Sequence, residues 1–326
     1  MNLIKYNITV ALCCYNSSSR LQPTLEHLFK QRLNSDIKWE LLIIDNNSDD
    51  NTSEIAQDIW TNFNSNISFK IIKEETLGLS YARKKAVNSA KGEILIFCDD
   101  DNWLDENYLQ IAYDFMRENR STGILGGKGI AVSSIDFPDW FLTYQGSYAA
   151  GVQNIESGKI NGRGFVWGSG MVVRTKEILS LYNLGFSSNL TGRKGSNLNA
   201  GDDSEICKWF LLVDKDLYYN ENLMFKHYIE PFRLKVEYFK NLTKGFELSR
   251  IELNKYDFIL FLLKKKKQLT FLKTCSLFFV FLFERNLFKI KVLLEFLNKT
   301  PLTFHKQTKK ILKSRASFIN ERNRLS

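Results

Sequence analysis

Gly92-Glu93-Ile94-Leu95-Ile96-Phe97-Cys98-Asp99-Asp100-Asp101-Asn102 decides how the rest of the chain is read. Five apolar residues in a row, Ile94 to Cys98, rich in β-branched and aromatic types, spell a short strand buried on both faces that runs directly into three carboxylates. Packing gives no reason for that junction. Three adjacent acids repel one another, and Asn, Gly or Ser would serve a solvated turn equally well. A hard divalent cation would account for it, because Mg²⁺ is typically held by one or two carboxylates together with the phosphates of a substrate. In open α/β sheets ligands gather beyond the carboxyl ends of the strands, which is where the triplet lies. At this point the alternative, an exposed acidic turn, stays open.

Upstream, the strand-then-helix pattern recurs three times. Ile8 to Cys14 is a strand by composition, and Tyr15-Asn16-Ser17-Ser18-Ser19 breaks it ahead of an amphipathic run from Leu21 to Arg32. Trp39 to Ile44 is the second, ending in Asp45-Asn46-Asn47-Ser48-Asp49-Asp50-Asn51-Thr52, whose side chains can cap the helix that follows through Ile55, Ala56 and Ile59. Phe69 to Ile72 is the third and leads through Gly78 into a helical pattern, Leu79 to Ala90. Strands alternating with helices predict an α/β fold, a doubly wound and mostly parallel sheet with helices on both faces. The polar clusters ending strands one, two and four should then share one edge of the sheet. No G-x-G-x-x-G follows the first strand and no P-loop Gly-Lys-Ser/Thr occurs, which removes the main support for dinucleotide or ATP binding.

A chain of 326 residues, 44% hydrophobic and 25% charged, is enough for one large domain with an appendage. Its net charge of +9 is unevenly spread: residues 240–326 carry +14, leaving −5 on residues 1–239. That balance argues against a nucleic-acid groove in the main body and assigns any attraction to an anionic surface to the tail. Cys13, Cys14, Cys98, Cys207 and Cys275 are odd in number and lack zinc-type spacing, so they read as small core residues in a reducing compartment. Met1 to Tyr6 has no basic region followed by an apolar core, and no secretory signal is expected there.

The ordered set of Tyr15-Asn16, the Asp45-to-Asp50 turn, Gly78-Leu-Ser-Tyr-Ala-Arg83 and the acid triplet resembles a family-2 glycosyltransferase of the GT-A fold, with the triplet in the place of that family's D-x-D motif. The resemblance covers roughly residues 8–110. It implies that Asp45 and Asn46 contact the base of a nucleotide diphosphate, with Tyr15 and Asn16 close by, and that Arg83 lies near that base or its phosphates. Asp99 and Asp100 would border the nucleotide sugar, while Asp99 and Asp101 would hold Mn²⁺ or Mg²⁺. The family often has a second Asp where this chain has Asn46, and an amide adds a donor to the acceptor a carboxylate offers. Asp45 to Thr52 could equally be an Asx turn and helix cap alone.

Beyond an amphipathic run from Tyr108 to Glu118, Ile124 to Ile130 reads as a glycine-bearing strand, and Gly162 to Val173 as a second one lining a cleft. In the resemblance this glycine-rich segment flanks donor sugar and acceptor, so Trp167 and Gly168 are candidates there; Trp167 would serve as well as a core anchor. Gly201-Asp202-Asp203 opens the next helical pattern and resembles the family's Gly-Glu/Asp-Asp motif, whose second acid is the catalytic base. Inverting transfer needs a carboxylate to take the acceptor proton, which nominates Asp203 with Asp202 beside it; both could instead simply favour a helix N-terminus. His227 matches a family position that completes the metal shell or touches the diphosphate. Arg193, Lys194 and Arg233 could offset diphosphate charge.

The expected organisation is a catalytic domain over 1–239, with a nucleotide-binding half of about 1–120 and an acceptor half of about 121–239, followed by a helical basic extension over 240–326. Within that extension Leu277 to Phe283 is the longest apolar run, far short of the ~20 residues a spanning helix needs. Phe- and Leu-rich basic helices tend to lie on anionic membrane surfaces, which together with the resemblance implies a peripheral protein on the inner face of a bacterial cell membrane; the extension could instead pack on the catalytic domain with its Lys residues solvated. The partners implied are a nucleotide-diphosphate sugar and a glycan or lipid-linked acceptor, with no nucleic acid. A sugar-phosphate nucleotidyltransferase and a non-catalytic membrane-surface binding protein are the rival readings; the first would carry a Gly-rich basic loop where Tyr15-Asn16-Ser17-Ser18 stands.

Overall fold

The computed structural model describes residues 5–192 and 200–265, with residues 277, 280–282, 286, 289–290, 315–316 and 319–320 beyond them. Four β-then-α units come first: β1 (Tyr6–Cys14) and α1 (Leu21–Phe29), β2 (Trp39–Asp45) and α2 (Thr52–Asn62), β3 (Ser68–Lys73) and α3 (Leu79–Ser89), then β4 (Gly92–Asp99), the short β5 (Asn102–Leu104) and α4 (Tyr108–Glu118). The second half holds β6 (Thr122–Val132), α5 (Phe141–Tyr144), β7 (Gly158–Lys159), β8 (Val172–Arg174), α6 (Thr175–Asn183), α7 (Asp202–Leu212), β9 (Asp216–Tyr228) and the long α8 (Val236–Lys265).

The sheet runs β3-β2-β1-β4-β8-β6-β9-β5, with β7 pairing β9 off this path. Strands β1 to β4 are parallel, as the alternation predicts. Past β4 the pairing turns mixed: β8 lies antiparallel to both β4 and β6, β6 and β9 are parallel, and β5 returns antiparallel on β9.

Both faces are covered because side chains alternate across each strand. From β1, Ile8, Val10, Leu12 and Cys14 pack with Leu25, Trp60 and Leu109 on the side of α1, α2 and α4. Ala11 and Cys13 point the other way, into a core shared with Ala86 of α3, Leu181 of α6, Phe210 of α7 and Tyr256 of α8. Fully burying each such aliphatic or aromatic side chain stabilises the fold by about 1.5–3 kcal/mol, which explains the near-continuous apolar runs.

The expected strand over 162–173 is not formed; only Val172–Arg174 is β. Gly164 at φ +79° and Gly170 at φ +69° turn the backbone into the left-handed region, so 162–171 folds as loop and turn. Its N–H groups bond to side chains instead of a ladder: Trp167 N donates to Gln153 Oε1 (3.0 Å) and Gly168 N to Asp203 Oδ2 (2.8 Å). A small third core of Phe141, Tyr148, Ile229, Leu234 and Leu242 clamps α5 to the start of α8. Among the described residues no helix is long and apolar enough to cross a membrane. The remaining tail expectations, including the apolar run 277–283, fall mostly outside the described residues, as do Arg193 and Lys194.

Candidate active site

The acid triplet forms the turn between β4 and β5, and Asn102 closes it: its Oδ1 accepts from Asp99 N (3.3 Å) and its Nδ2 donates to Asp101 Oδ1 (3.0 Å). Because Asn102 pairs with His227 across β5 and β9, the turn brings Asp101 beside the imidazole. His227 Nε2 lies 3.2 Å from Asp101 Oδ2, and Arg233 Nη1 donates to the same oxygen at 2.9 Å. Tyr148, held in the third core, fixes both partners. Its carbonyl is 2.6 Å from His227 Nδ1, and its hydroxyl donates to the Arg233 carbonyl at 2.9 Å.

The other two acids of the triplet diverge. Asp100 accepts from Arg20 Nη2 at 2.6 Å, which ties the start of α1 to the turn. Burial, reinforced by Asp101 and opposed by Arg20, pushes its carboxyl up to about 6. Asp99 accepts from Ser169 Oγ (3.0 Å) and lies 3.9 Å from Arg83 Nη2.

Arg83, buried on α3, donates from Nη1 to Asp202 Oδ2 at 2.6 Å, and so joins the first half of the chain to α7. Burial draws its guanidinium down, but Asp202, Asp99 and Asp203 outweigh that and leave it above its ordinary range. Burial likewise pushes Asp202 up to about 6 against the pull of Arg83. Gly168 is the third side of this junction. A Cβ there would stand 2.2 Å from Arg83 Nη2, and its N–H holds Asp203.

All of these groups except Asn102 line one cavity of about 1200 Å³, as do Tyr15, Asn46 and Trp167. Asn16 and Asp45 do not line it. Asn16, at φ +50°, accepts from Asp49 N through its side chain (3.0 Å), and Asp45 is spent on Ser48 N (2.9 Å) and Ser53 Oγ (2.6 Å), bonds that fix the turn ahead of α2 without capping it. Asn46 reaches the cavity, but its amide bonds Gly78 N (2.8 Å) and the Thr76 carbonyl (2.7 Å), setting the loop before α3. Trp167 is buried in the core on the α1 side of the sheet, with the Arg163 guanidinium over its ring at 5.2 Å.

Among the described residues, the cavity's carboxylates pair with cations one by one: Asp100 with Arg20, Asp202 and Asp99 with Arg83, Asp257 with Lys208, Asp101 with Arg233. Glu230 lies 3.9 Å from Arg20. Asp203 is the exception. It accepts only backbone N–H bonds, from Gly168 (2.8 Å) and its own neighbour Ser204 (2.6 Å), and stays free to take a proton.

Two donors test the fit of a divalent cation. With Nδ1–H given to a carbonyl, as ligating imidazoles usually do, a neutral His227 turns its Nε2 lone pair on the Asp101 carboxylate. That contact is satisfied by a second ring proton or by a cation shared between the two. The two donor atoms, 3.2 Å apart, stand close enough that both would hold one ion. No three His, Cys, Asp or Glu side chains form a ready cage among the described residues, so any ion here would depend on substrate oxygens.

Residues 9–164 match the family described as Glycosyl transferase family 2. Over those residues, just under half of its length, the chain is similar to that family. Within curated relatives, the "Cholesterol galactosyltransferase" of Borreliella burgdorferi is 31% identical over 118 residues, 36% of this chain and 31% of its own. The "Poly(ribitol-phosphate) beta-N-acetylglucosaminyltransferase TarP" of Staphylococcus aureus is 28% identical over 123 residues, 38% of this chain and 37% of its own. The match thus spans about a third of either relative's length. The crystal structure of S. aureus TarS 1–349 in complex with UDP-GlcNAc superposes with a TM-score of 0.54 at 16% identity, covering 97% of this chain and 91% of that one. At that identity the likeness is one of fold, and the fold is the GT-A type.

Arg20, Tyr148 and Ser169 carry no sequence signal of their own as site residues. Their partners stand roughly 70 to 80 residues away in the chain, and no local spacing points to them.

Proposed function

We propose that this protein is a metal-dependent, inverting glycosyltransferase that moves a sugar from a nucleotide-diphosphate donor to a hydroxyl of a glycan or lipid-linked acceptor, in bacterial cell-surface polysaccharide synthesis. The observation that carries the proposal is Asp203, which pairs with no cation among the described residues, in the same cavity as the Asp101, His227 and Arg233 cluster. Asp203 takes the acceptor hydroxyl proton while that oxygen bonds to the anomeric carbon, the bond to the diphosphate breaks on the opposite face, and configuration inverts.

Asp101 and His227 would hold Mn²⁺ or Mg²⁺, with Asp99 nearby. When bound, the ion offsets the charge that builds on the departing diphosphate. Arg233 assists: its Nε and Nη2 are buried with no hydrogen-bond partner among the described residues, and the side chain lines the cavity, so two N–H groups await anionic oxygens. Tyr15, Asn46 and Arg83 border the nucleotide side. The Arg83–Asp202 pair acts by holding the two halves of the site in register. In this proposal residues 240–326 rest on the anionic inner face of the cell membrane.

The test is a thermal-shift screen of UDP-, GDP- and dTDP-sugars with and without Mn²⁺, since a ligand that binds the native state raises its stability by mass action. One donor class should respond, more strongly with Mn²⁺, and the wild type should hydrolyse or transfer that sugar whereas Asp203→Ala should not. No response to any donor, or a product of retained configuration, overturns the proposal.

A further inference from the structure

We propose that Arg163 reads a negatively charged group, a phosphate or a carboxylate, carried by the acceptor close to the hydroxyl that is glycosylated; this rests on the transferase reading of the cavity. The starting point is the set of ion pairs within it. Arg20, Arg83, Lys208 and Arg233 each sit between 2.6 and 2.9 Å from a carboxylate. Arg163 lines the same cavity and pairs with no carboxylate among the described residues. Arg250 also lacks one, but it is exposed and water solvates it.

Arg163 is half-buried, and its surroundings are built rather than incidental. Its guanidinium lies 4.4 Å from the Phe165 ring centroid and 5.2 Å from that of Trp167. Nη1 donates to the Gln153 carbonyl, which fixes the plane, and Nε is buried with no hydrogen-bond partner among the described residues. Burial pulls the group below its usual range and outweighs the opposing pull of Cys207 and of the Asp203 carboxylate, neither of which it bonds. A planar fork of donors, stacked on aromatic rings and left with an unused N–H, suits bidentate capture of a carboxylate or phosphate.

Its position assigns the anion to the acceptor. Arg163 begins the segment that ends at Gly168, whose N–H holds the proposed base Asp203 at 2.8 Å, so anion reader and base are carried by one short stretch. The donor diphosphate has its own unsatisfied donors in Arg233, next to Asp101. Arg163, with no carboxylate partner among the described residues, therefore answers a second anion.

The experiment uses the full chain saturated with UDP and Mn²⁺, titrated calorimetrically with glycerol 3-phosphate, glucuronate and neutral glycerol. The wild type should bind one or both anions and not glycerol, and the stronger of the two identifies the anion. Arg163→Met should lose about ten- to a hundredfold in that affinity, the worth of one charge-assisted bond. Arg163→Lys, which keeps the charge without the fork, should fall between. UDP affinity reports folding of each variant, and Arg163→Gln serves if the Met variant fails that control. Equal anion affinity in wild type and folded variants, or no preference for the anions over glycerol, overturns the inference. A wild type that binds neither UDP nor any nucleotide sugar would count against the transferase reading instead.

Discussion

Gly168 donates its backbone N–H to Asp203 Oδ2 at 2.8 Å, and this is the bond that aims a cavity carboxylate that pairs with no cation among the described residues. The bond leaves the rest of that carboxylate available, because the only other hydrogen bond to it among the described residues is from the Ser204 N–H to Oδ1 at 2.6 Å. Asp203→Asn keeps the shape and the Gly168 contact but cannot accept a proton. Its kcat should fall by about 10²–10⁴, the usual range for a general base, with donor affinity unchanged. Steady-state kinetics beside calorimetric titration with the donor nucleotide make the comparison, and a variant with wild-type kcat would remove Asp203 from the chemistry.

The Arg83–Asp202 pair should behave as a buried ion pair does. Arg83→Met leaves Asp202 buried at the N-terminus of α7 without its partner, which should cost about 3–5 kcal/mol. Exchanging both, Arg83→Met with Asp202→Leu, should recover much of the loss, since well-packed apolar pairs often replace buried ions at little cost. Urea unfolding midpoints read both. A double variant no better than Arg83→Met would mean that the pair does more than neutralise itself, with Asp99 the first candidate at 3.9 Å.

How much of this was legible beforehand differs by element, for physical reasons. β1, β2 and β4 announce themselves because strands buried on both faces are unbroken apolar runs, and their polar ends mark the ligand edge. β9 hides, because Asn220-Glu221-Asn222 interrupts it where its register against β6 shifts. Only the alternation Leu217, Tyr219 and then Leu223, Phe225, His227 gives it away. The segment 162–171 misleads in the opposite sense: its glycines look like a strand approached closely by ligand, but they make turns. The acid triplet and Asp202-Asp203 stand out as clusters. The Arg83–Asp202 contact, 119 residues apart in the chain, has no local signature at all.

The membrane proposal is checked by sedimentation with vesicles. α8 exposes Leu248 and Ile251 about one turn apart, among Lys240, Lys244, Arg250 and Lys255. Binding to phosphatidylglycerol vesicles should exceed binding to phosphatidylcholine and weaken with salt, each basic residue near the surface adding ~1 kcal/mol. Replacing Leu248 and Ile251 by Glu should reduce it further while leaving UDP affinity intact. Equal partition onto neutral and anionic vesicles would dismiss the proposal.

Arg233 and the proposed metal compete for one oxygen, and that competition is measurable. Arg233 Nη1 is 2.9 Å from Asp101 Oδ2, the same atom that faces His227 Nε2 at 3.2 Å. A cation shared by Asp101 and His227 would therefore meet a fixed positive charge, which lowers its affinity unless an anion draws the guanidinium off. The donor diphosphate is such an anion, so Mn²⁺ and UDP should bind cooperatively, each tightening the other by the same factor. Arg233→Met removes the competing charge and the two unpaired N–H groups together. It should tighten Mn²⁺ binding to the nucleotide-free protein, weaken UDP, and erase most of the cooperativity, whereas His227→Ala should weaken Mn²⁺ in both states. Electron paramagnetic resonance of free Mn²⁺, with and without UDP, reads all three. Mn²⁺ binding that ignores both substitutions would move the ion away from Asp101, and with it the proposed seat of the leaving group.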